Sequence, residues 1–185
     1  DQAIKAFASE LADASYVFTH TLSKPQPRTL RQVVLGLPKV SAAHRTAVAQ
    51  AQALGRGIEL AKEWANRPAN HATPNHLAQA AKALGKHPSI ACKVLGPREV
   101  ERLGMGSFLS VARGAAEPLR FIVLEYKPRA AKQAPVVLVG KGITFDTGGI
   151  SMKPAPEMDE MKFDMSGAAS VLGVFEALAQ LQPDV

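Results

Sequence analysis

Two lysines and two aspartates lie within a short, glycine-rich part of the sequence near its end. They are Lys141, Asp146, Lys153 and Asp164, and four glycines lie between residues 140 and 149. Glycine lets the backbone bend sharply and approach a ligand closely. Carboxylate oxygens are hard ligands for divalent cations, so two aspartates on separate loops can converge on a metal ion. The pattern predicts a cation site, with the alternative that the aspartates cap helices and the lysines are their counter-ions.

An apolar run directly before this stretch is expected to position it. Residues 135–139 (PVVLV) are typical of a strand buried on both faces of a mostly parallel sheet. In open α/β sheets, ligand sites form outside the carboxyl ends of the strands. A helix of small residues is expected to follow, from about residue 166 to residue 181. The candidate residues would therefore lie on loops at one end of a sheet.

The rest of the chain alternates between helical and strand-like patterns. Ser41 is expected to cap a long helix, and Thr73 followed by Pro74 marks the start of another. The predicted elements are helices over 2–18, 41–66, 74–84 and 97–103 and strands over 32–37, 90–95 and 119–126. This alternation predicts a layered α/β/α fold with a mostly parallel sheet.

Composition excludes several classes of protein. Apolar residues make up 46% of the chain and charged residues 21%, which is ordinary for a folded domain. No apolar run reaches the length of about 18 residues that a membrane span requires. Cys92 is the only cysteine, which rules out an internal disulfide and fits a cytoplasmic protein. The first residues lack the order of charge and apolarity that a secretory signal shows.

Charge is unevenly distributed along the chain. Residues 1–141 contain 20 Lys and Arg against 9 Asp and Glu, whereas residues 142–185 contain 2 against 7. A basic body suits acidic partners such as nucleic acid, and an acidic last quarter suits a cation. The basic residues are dispersed, however, which favours a solvated surface over a nucleic-acid interface.

Three other kinds of site do not match the sequence. The Gly-Lys-Gly at residues 140–142 lacks the remaining residues of a phosphate-binding loop. The Gly-x-Ser-x-Gly pattern of serine hydrolases is absent. His71 and His76 lack a His-Glu-x-x-His arrangement, and we interpret both as surface or capping residues.

Two stretches around the candidate residues resemble the leucine aminopeptidase (cytosol aminopeptidase) family. They are GKGITFDTGGISMKP at 140–154 and MDEMKFDMSGAA at 158–169, and they match the family pattern almost residue for residue. NRPANHATPNHLA at 66–78 also resembles the entry into the family's catalytic domain. The resemblance extends from about residue 30 to the end of the chain.

This resemblance implies a metalloprotease of known type. Family members release N-terminal amino acids, often Leu, from peptides with the help of two divalent metal ions, typically Zn²⁺ or Mn²⁺. They are cytoplasmic homohexamers, each a dimer of trimers. Residues 1–40 would be the tail of a smaller N-terminal α/β domain and a linker, and residues 41–185 the first half of the catalytic domain.

The resemblance also implies roles for the candidate ligands. Asp146 would bridge the two metals, while Lys141 and Asp164 would bind the more exchangeable one. Ligation by Lys141 requires its neutral amine, so the metal must lower the pKa of this lysine greatly. The alternative is an ion pair between Lys141 and Asp146.

Three further residues are assigned to the substrate. Lys153 would face the scissile carbonyl and stabilise the oxyanion of the tetrahedral intermediate. Met161 would line the pocket for the N-terminal side chain of the peptide, and Ser151 would lie close to the site.

A later motif of the family, Asn-Thr-Asp-Ala-Glu-Gly-Arg, is not present in residues 1–185. In the family it supplies another Asp, a bridging Glu and an Arg that holds a bicarbonate acting as general base. We therefore expect the chain to be truncated, and residues 1–185 alone to be inactive and poorly folded. DNA binding, known for some bacterial members, is the alternative function. A non-catalytic assembly role is disfavoured because the lysines and aspartates of the site are intact.

Overall fold

The computed structural model describes residues 1–128, 130 and 134–184. Within those residues the helices are α1 (Gln2–Ala14), α2 (Ala42–Asn66), α3 (Pro74–Leu84), α4 (Pro97–Arg102), α5 (Gly106–Ala112) and α6 (Ser166–Leu181). The strands are β1 (Ile90–Leu95) and β2 (Phe121–Tyr126), and two 3-10 helices span Ala69–His71 and Met158–Met165.

The two predicted helix caps are confirmed. The Ser41 hydroxyl accepts a hydrogen bond from the backbone N–H of His44 at 3.2 Å, and the Thr73 hydroxyl accepts one from the N–H of His76 at 3.4 Å. Pro74 occupies the first turn of α3. The His76 ring accepts a hydrogen bond from the backbone N–H of Thr73, so His76 is a capping residue as predicted. Each cap contributes about 1 kcal/mol to helix stability.

The main core lies where α2, α3 and α6 meet the face of the strands. Met165 at the start of α6 is fully buried, and Trp64 near the end of α2 is almost so. The remaining buried members of this cluster are Ala72, Leu77, Ala81, Leu84, Ile90, Ala169, Leu172, Phe175 and Ala179. A smaller cluster of Leu95, Val100 and Leu119 lies under α4. The main core fixes α6, and with it the segment that precedes α6, against the rest of the chain.

The described helices also bear on membrane insertion. In the parts of the chain that the structure describes, no helix combines the length and the apolar character needed to cross a bilayer. The 25-residue helix α2 is long enough, but charged residues such as Arg45, Arg56 and Glu59 make it too polar.

The α/β class predicted from the sequence is confirmed, but the strand pair that forms is antiparallel. β1 and β2 pair from Ile90 opposite Tyr126 to Leu95 opposite Phe121. Apolar periodicity identifies both strands but carries no information on their relative direction. The connection through α4 and α5 is long enough for either direction, so its length does not specify the direction either.

Two other predicted strands are not strands in the structure. Residues 32–37 and 135–139 have no ladder partner among the described residues. Their apolar side chains are largely exposed, with Val136 88% and Val139 91% accessible. A strand exists only when a neighbour takes up its N–H and C=O groups, and an apolar run does not specify that neighbour.

Two helices also differ in extent from prediction. α1 ends at Ala14 instead of about residue 18. The helix predicted over 97–103 ends at Arg102, and Gly104, with a φ of +70°, turns the chain into α5. α5 was not predicted because its short apolar pattern gives no clear helical period.

Candidate metal centre

The start of α6 holds one part of the candidate site in place. The backbone N–H of Ala168, in the first turn of α6, donates to the carbonyl of Lys141 at 2.8 Å. The 3-10 helix Met158–Met165 leads directly into α6. Because a 3-10 helix has about three residues per turn, Met161 and Asp164 lie on the same face of it. Lys141, Met161 and Asp164 are therefore positioned by one element.

Lys141 pairs with Asp164. Its Nζ lies 2.7 Å from Asp164 Oδ1, and the Lys141 side chain is 57% exposed while that of Asp164 is only 16% exposed. The hydrogen bond to Asp164 is the main cause that raises the pKa of Lys141 above its usual value. The negative charges of Asp164 and Asp146 act in the same direction, and partial desolvation opposes them. The ion pair with Asp164 thus favours the ammonium form of Lys141.

Asp146 pairs with Lys153. Lys153 Nζ donates to Asp146 Oδ2 at 3.0 Å, and the backbone N–H of Gly148 donates to Oδ1 at 2.9 Å. The hydrogen bond from Lys153 is the largest cause that lowers the pKa of Asp146, and the Gly148 N–H is the next. Both favour the ionised carboxylate, which is the form that binds a cation.

A tight turn between Asp146 and Lys153 makes this pair possible. The backbone N–H of Lys153 donates to the carbonyl of Thr147 at 2.9 Å. Gly148 has a φ of +87°, and a Cβ there would lie 2.4 Å from the carbonyl oxygen of Ser151. Only glycine fits both the backbone conformation and the close approach. The turn was not predicted in detail, although the Gly148-Gly149 pair is its signal in the sequence.

Met161 joins the second pair, and Ser151 does not. Lys153 Nζ lies 3.0 Å from Met161 Sδ, so the ammonium group contacts both the Asp146 carboxylate and the Met161 thioether. Ser151 is exposed, and within the described residues its hydroxyl makes no hydrogen bond to the other candidates. The structure therefore brings together five of the six predicted site residues. They form the pairs Lys141–Asp164 and Asp146–Lys153, and Met161 contacts Lys153.

The pairing differs from the alternative considered on the sequence. An ion pair between Lys141 and Asp146 was that alternative, but Lys141 pairs with Asp164 and Asp146 with Lys153. Lys141 remains within electrostatic reach of Asp146, since the charge of Asp146 contributes to its raised pKa. The two ion pairs are therefore neighbours whose charges act on each other.

One oxygen in this cluster lacks a partner. Asp164 Oδ2 is buried and has no hydrogen bond. An unpaired buried acceptor costs about 1–3 kcal/mol, and a bound cation would remove that cost. Among the described residues, no group of three or more His, Cys, Asp and Glu side chains could hold a metal ion. The candidate donors in this cluster are the carboxylates of Asp146 and Asp164, which fit a hard divalent cation, and Lys141, which would fit only after losing its proton.

The geometry defines an α/β protein with a candidate divalent-metal centre. Residues 59–185 match the family model described as the cytosol aminopeptidase family, catalytic domain. This match covers more than half of the chain, so the chain belongs to the cytosol aminopeptidase family, as the motifs predicted. The predicted division of the chain at residue 40 stays a prediction.

Relatives and solved structures agree with this assignment. The chain is 61% identical over 183 residues to a probable cytosol aminopeptidase of Acidovorax sp. (strain JS42), covering 99% of this chain and 37% of that protein. It is 62% identical over 180 residues to one of Verminephrobacter eiseniae (strain EF01-2), covering 97% and 34%. The chain therefore spans about a third of the length of these curated relatives.

Two solved structures have the same fold over nearly the whole chain. A mutant of tomato leucine aminopeptidase superposes with a TM-score of 0.85 at 32% identity, covering 97% of this chain and 34% of that one. The bottromycin maturation enzyme BotP in complex with Mn superposes with a TM-score of 0.81 at 34% identity, covering 96% and 36%.

Proposed function

We propose that the protein is a metal-dependent aminopeptidase that releases N-terminal amino acids, preferentially Leu-like ones, from peptides. Membership in the cytosol aminopeptidase family supports a peptidase function. The observation that carries the metal dependence is the buried, unpaired Asp164 Oδ2 beside Lys141 and the Asp146 cluster. A site of this kind is built to receive a cation.

Asp146, Lys141 and Asp164 are the proposed ligands on this chain. Together these three residues would hold the divalent ions, Asp146 and Asp164 through their carboxylates and Lys141 through its neutral amine. Manganese or zinc suits these donors, and a structural relative is in complex with Mn. When bound, two such ions lower the pKa of water and polarise a carbonyl group.

Lys141 must change its partner and its protonation state to act as a ligand. In the structure its ammonium group donates to Asp164 Oδ1. An ammonium has no lone pair, so ligation requires loss of the proton that this hydrogen bond now holds.

Lys153 is the proposed catalytic residue. Its ammonium is held between Asp146 Oδ2 and Met161 Sδ, and its side chain is partly exposed, so a substrate carbonyl can reach it. It would stabilise the developing oxyanion, a contribution of about 3 kcal/mol for one well-placed donor. The thioether contact orients the ammonium without neutralising it.

Met161 and Ser151 are assigned to the substrate. Met161 is a flexible, polarisable side chain that suits a pocket for an apolar N-terminal residue. It lies at the Lys153 ammonium, so the pocket and the oxyanion donor would be adjacent. Ser151 follows the turn at Gly148 and would line the open side of the site.

The partners follow from the family. We propose peptide substrates, a homohexamer built as a dimer of trimers, a cytoplasmic location and a bicarbonate that serves as general base. DNA binding lacks a specific observation in its favour. Several basic side chains are already paired with acids, as in Lys62 with Asp13, Arg67 with Glu63, and Arg28 with Glu59.

Hydrolysis of Leu-p-nitroanilide by the intact protein tests the proposal. Turnover is expected to disappear after exhaustive chelation and to return with added Mn²⁺ or Zn²⁺. N-acetyl-Leu-p-nitroanilide is the matched control, because blocking the α-amine should abolish hydrolysis by an exopeptidase. Equal turnover before and after chelation would contradict the metal-dependent mechanism.

A further inference from the structure

The backbone of residues 140–141 is in direct contact with the backbone of residues 167–168. A Cβ on Gly140 would lie 2.4 Å from the carbonyl oxygen of Gly167 and 2.6 Å from its carbonyl carbon. A Cβ on Gly167 would lie 2.8 Å from the backbone nitrogen of Lys141. Real Cβ contacts essentially never fall below 3.0 Å. Only glycine therefore allows the two segments to lie this close at both positions.

This contact fixes Lys141 relative to Asp164. Next to the two glycines, the N–H of Ala168 donates to the Lys141 carbonyl at 2.8 Å. Asp164 lies just before α6 and is followed by Met165, which is fully buried in the main core. The Lys141 backbone is thereby attached to the same rigid element as the Asp164 carboxylate, and their side chains meet at 2.7 Å.

We propose that Gly140 and Gly167 are positioning residues for the metal centre. Their backbone contact holds Lys141 beside Asp164, and the proposed function assigns these two residues to the same cation. This inference rests on the proposed function. It assigns to the glycines the role of holding Lys141 in place, in addition to letting the loop bend. Both glycines contact backbone atoms, so both act through the position of the Lys141 backbone.

The distances show that a Cβ on Gly140 would displace backbone atoms. Adding a Cβ to Gly140 requires the gap to the Gly167 oxygen to widen from 2.4 Å to at least 3.0 Å. The atoms that must move are backbone, so no side-chain rotation can relieve the contact. Changes to residues that orient metal ligands commonly cost about 10–100-fold in metal affinity. We expect a loss in that range.

The test uses Gly140→Ala and Gly167→Ala in the intact protein. Isothermal titration with Mn²⁺ should show an affinity at least about tenfold weaker than wild type. A crystal structure of each variant, prepared without metal, should show the Lys141 backbone displaced from α6 and the Lys141 Nζ–Asp164 Oδ1 distance longer than 2.7 Å. Gly114→Ala is the matched control, because nothing lies within 4 Å of a Cβ there, and it should bind Mn²⁺ as wild type does. Unchanged affinity together with an intact Lys141–Asp164 pair would overturn the inference.

If Gly140→Ala does not fold, a milder substitution at Gly142 provides a second test. A Cβ on Gly142 would meet only the methyl group of Ala168, at 3.3 Å. Gly142→Ala should weaken Mn²⁺ binding by a smaller factor, and adding Ala168→Gly should restore it. Restored binding would show that the loss comes from the steric contact with Ala168, because glycine in a helix otherwise lowers stability. Absence of rescue would count against the inference.

The structural readout separates this inference from the proposed function. If the wild-type protein bound no Mn²⁺ and cleaved no peptide, the proposed function would fail. The Lys141–Asp164 distance in the metal-free variants would still decide whether the glycines position the pair.

Discussion

Gly57 in α2 and Gly173 in α6 face each other so closely that each backbone occupies the space of the other's missing side chain. A Cβ on either glycine would lie 2.4 Å from the carbonyl oxygen of its partner. Both residues are buried. The two longest helices of the described chain therefore cross at a pair of glycines, and this crossing holds α6 beside the core.

The first prediction concerns this crossing. Gly57→Ala gains about 1 kcal/mol of helix propensity but must separate two backbones, so we expect a net loss of about 1–2 kcal/mol. Chemical denaturation of the protein measures the change. Gly36→Ala is the control, because a Cβ there meets nothing within 4 Å. A variant as stable as wild type would mean that the helices cross at a greater distance.

The second prediction concerns the charge of Asp146. Lys153→Met keeps the length of the side chain and removes the hydrogen bond that most lowers the pKa of Asp146. The pKa of Asp146 in the metal-free protein should therefore rise toward its usual value, as measured by NMR titration of the carboxyl carbon. Lys162→Met is the control, since Lys162 lies over the Phe163 ring and is not among the charges that act on Asp146.

The sign of the accompanying stability change is fixed by the direction of the shift. The pKa of Asp146 is lower in the folded protein than in the unfolded chain, so its contribution to stability is present above the unfolded value of about 4. That contribution is lost as the pH falls through the folded pKa. In Lys153→Met, unfolding should depend less on pH in this acidic window. An unchanged acid dependence would argue against the Lys153 contact.

The third prediction concerns Lys141 as a ligand. Because its pKa is raised by Asp164, Lys141 is protonated at neutral pH and must release a proton to bind a metal. Mn²⁺ binding should therefore release one more proton in wild type than in Lys141→Met. The affinity of the wild-type protein for Mn²⁺ should rise by up to about tenfold for each unit that the pH increases. Titration calorimetry in buffers of different ionisation enthalpy counts the protons. Equal release by both proteins would show that Lys141 stays charged.

The fourth prediction separates catalysis from metal binding. Lys153→Ala should lower kcat by about 10²–10³-fold, as loss of one oxyanion donor does, while the metal content of the purified protein stays unchanged. Elemental analysis measures the content. Met161→Leu, which removes only the thioether contact with Lys153, should have a smaller effect on kcat. Loss of a metal ion from Lys153→Ala would instead make Lys153 a structural residue or a ligand.

The elements predicted best depend on contacts between near neighbours. The Ser41 and Thr73 hydroxyls bond to groups three residues further along the chain, so residue type and spacing determine these helix starts. β1 and β2 were also predicted close to their observed bounds, because short apolar runs mark them. The strands expected at 32–37 and 135–139 are not found. Each would need a partner strand far away in the chain, and its own residues do not specify that partner.

The sequence by itself determined the family and the set of candidate residues, because the motifs at 140–154 and 158–169 fix residue type and spacing. Tertiary structure decided which of these residues meet. Lys141 pairs with Asp164 because packing of α6 on the core brings two separate segments into contact, whereas Asp146 pairs with Lys153 across the turn at Gly148. The close backbone contact between Gly140 and Gly167 is also decided by the tertiary structure. Hydrogen bonds and steric contacts act over a few ångströms in space, and for segments far apart in the chain only the folded backbone determines that distance.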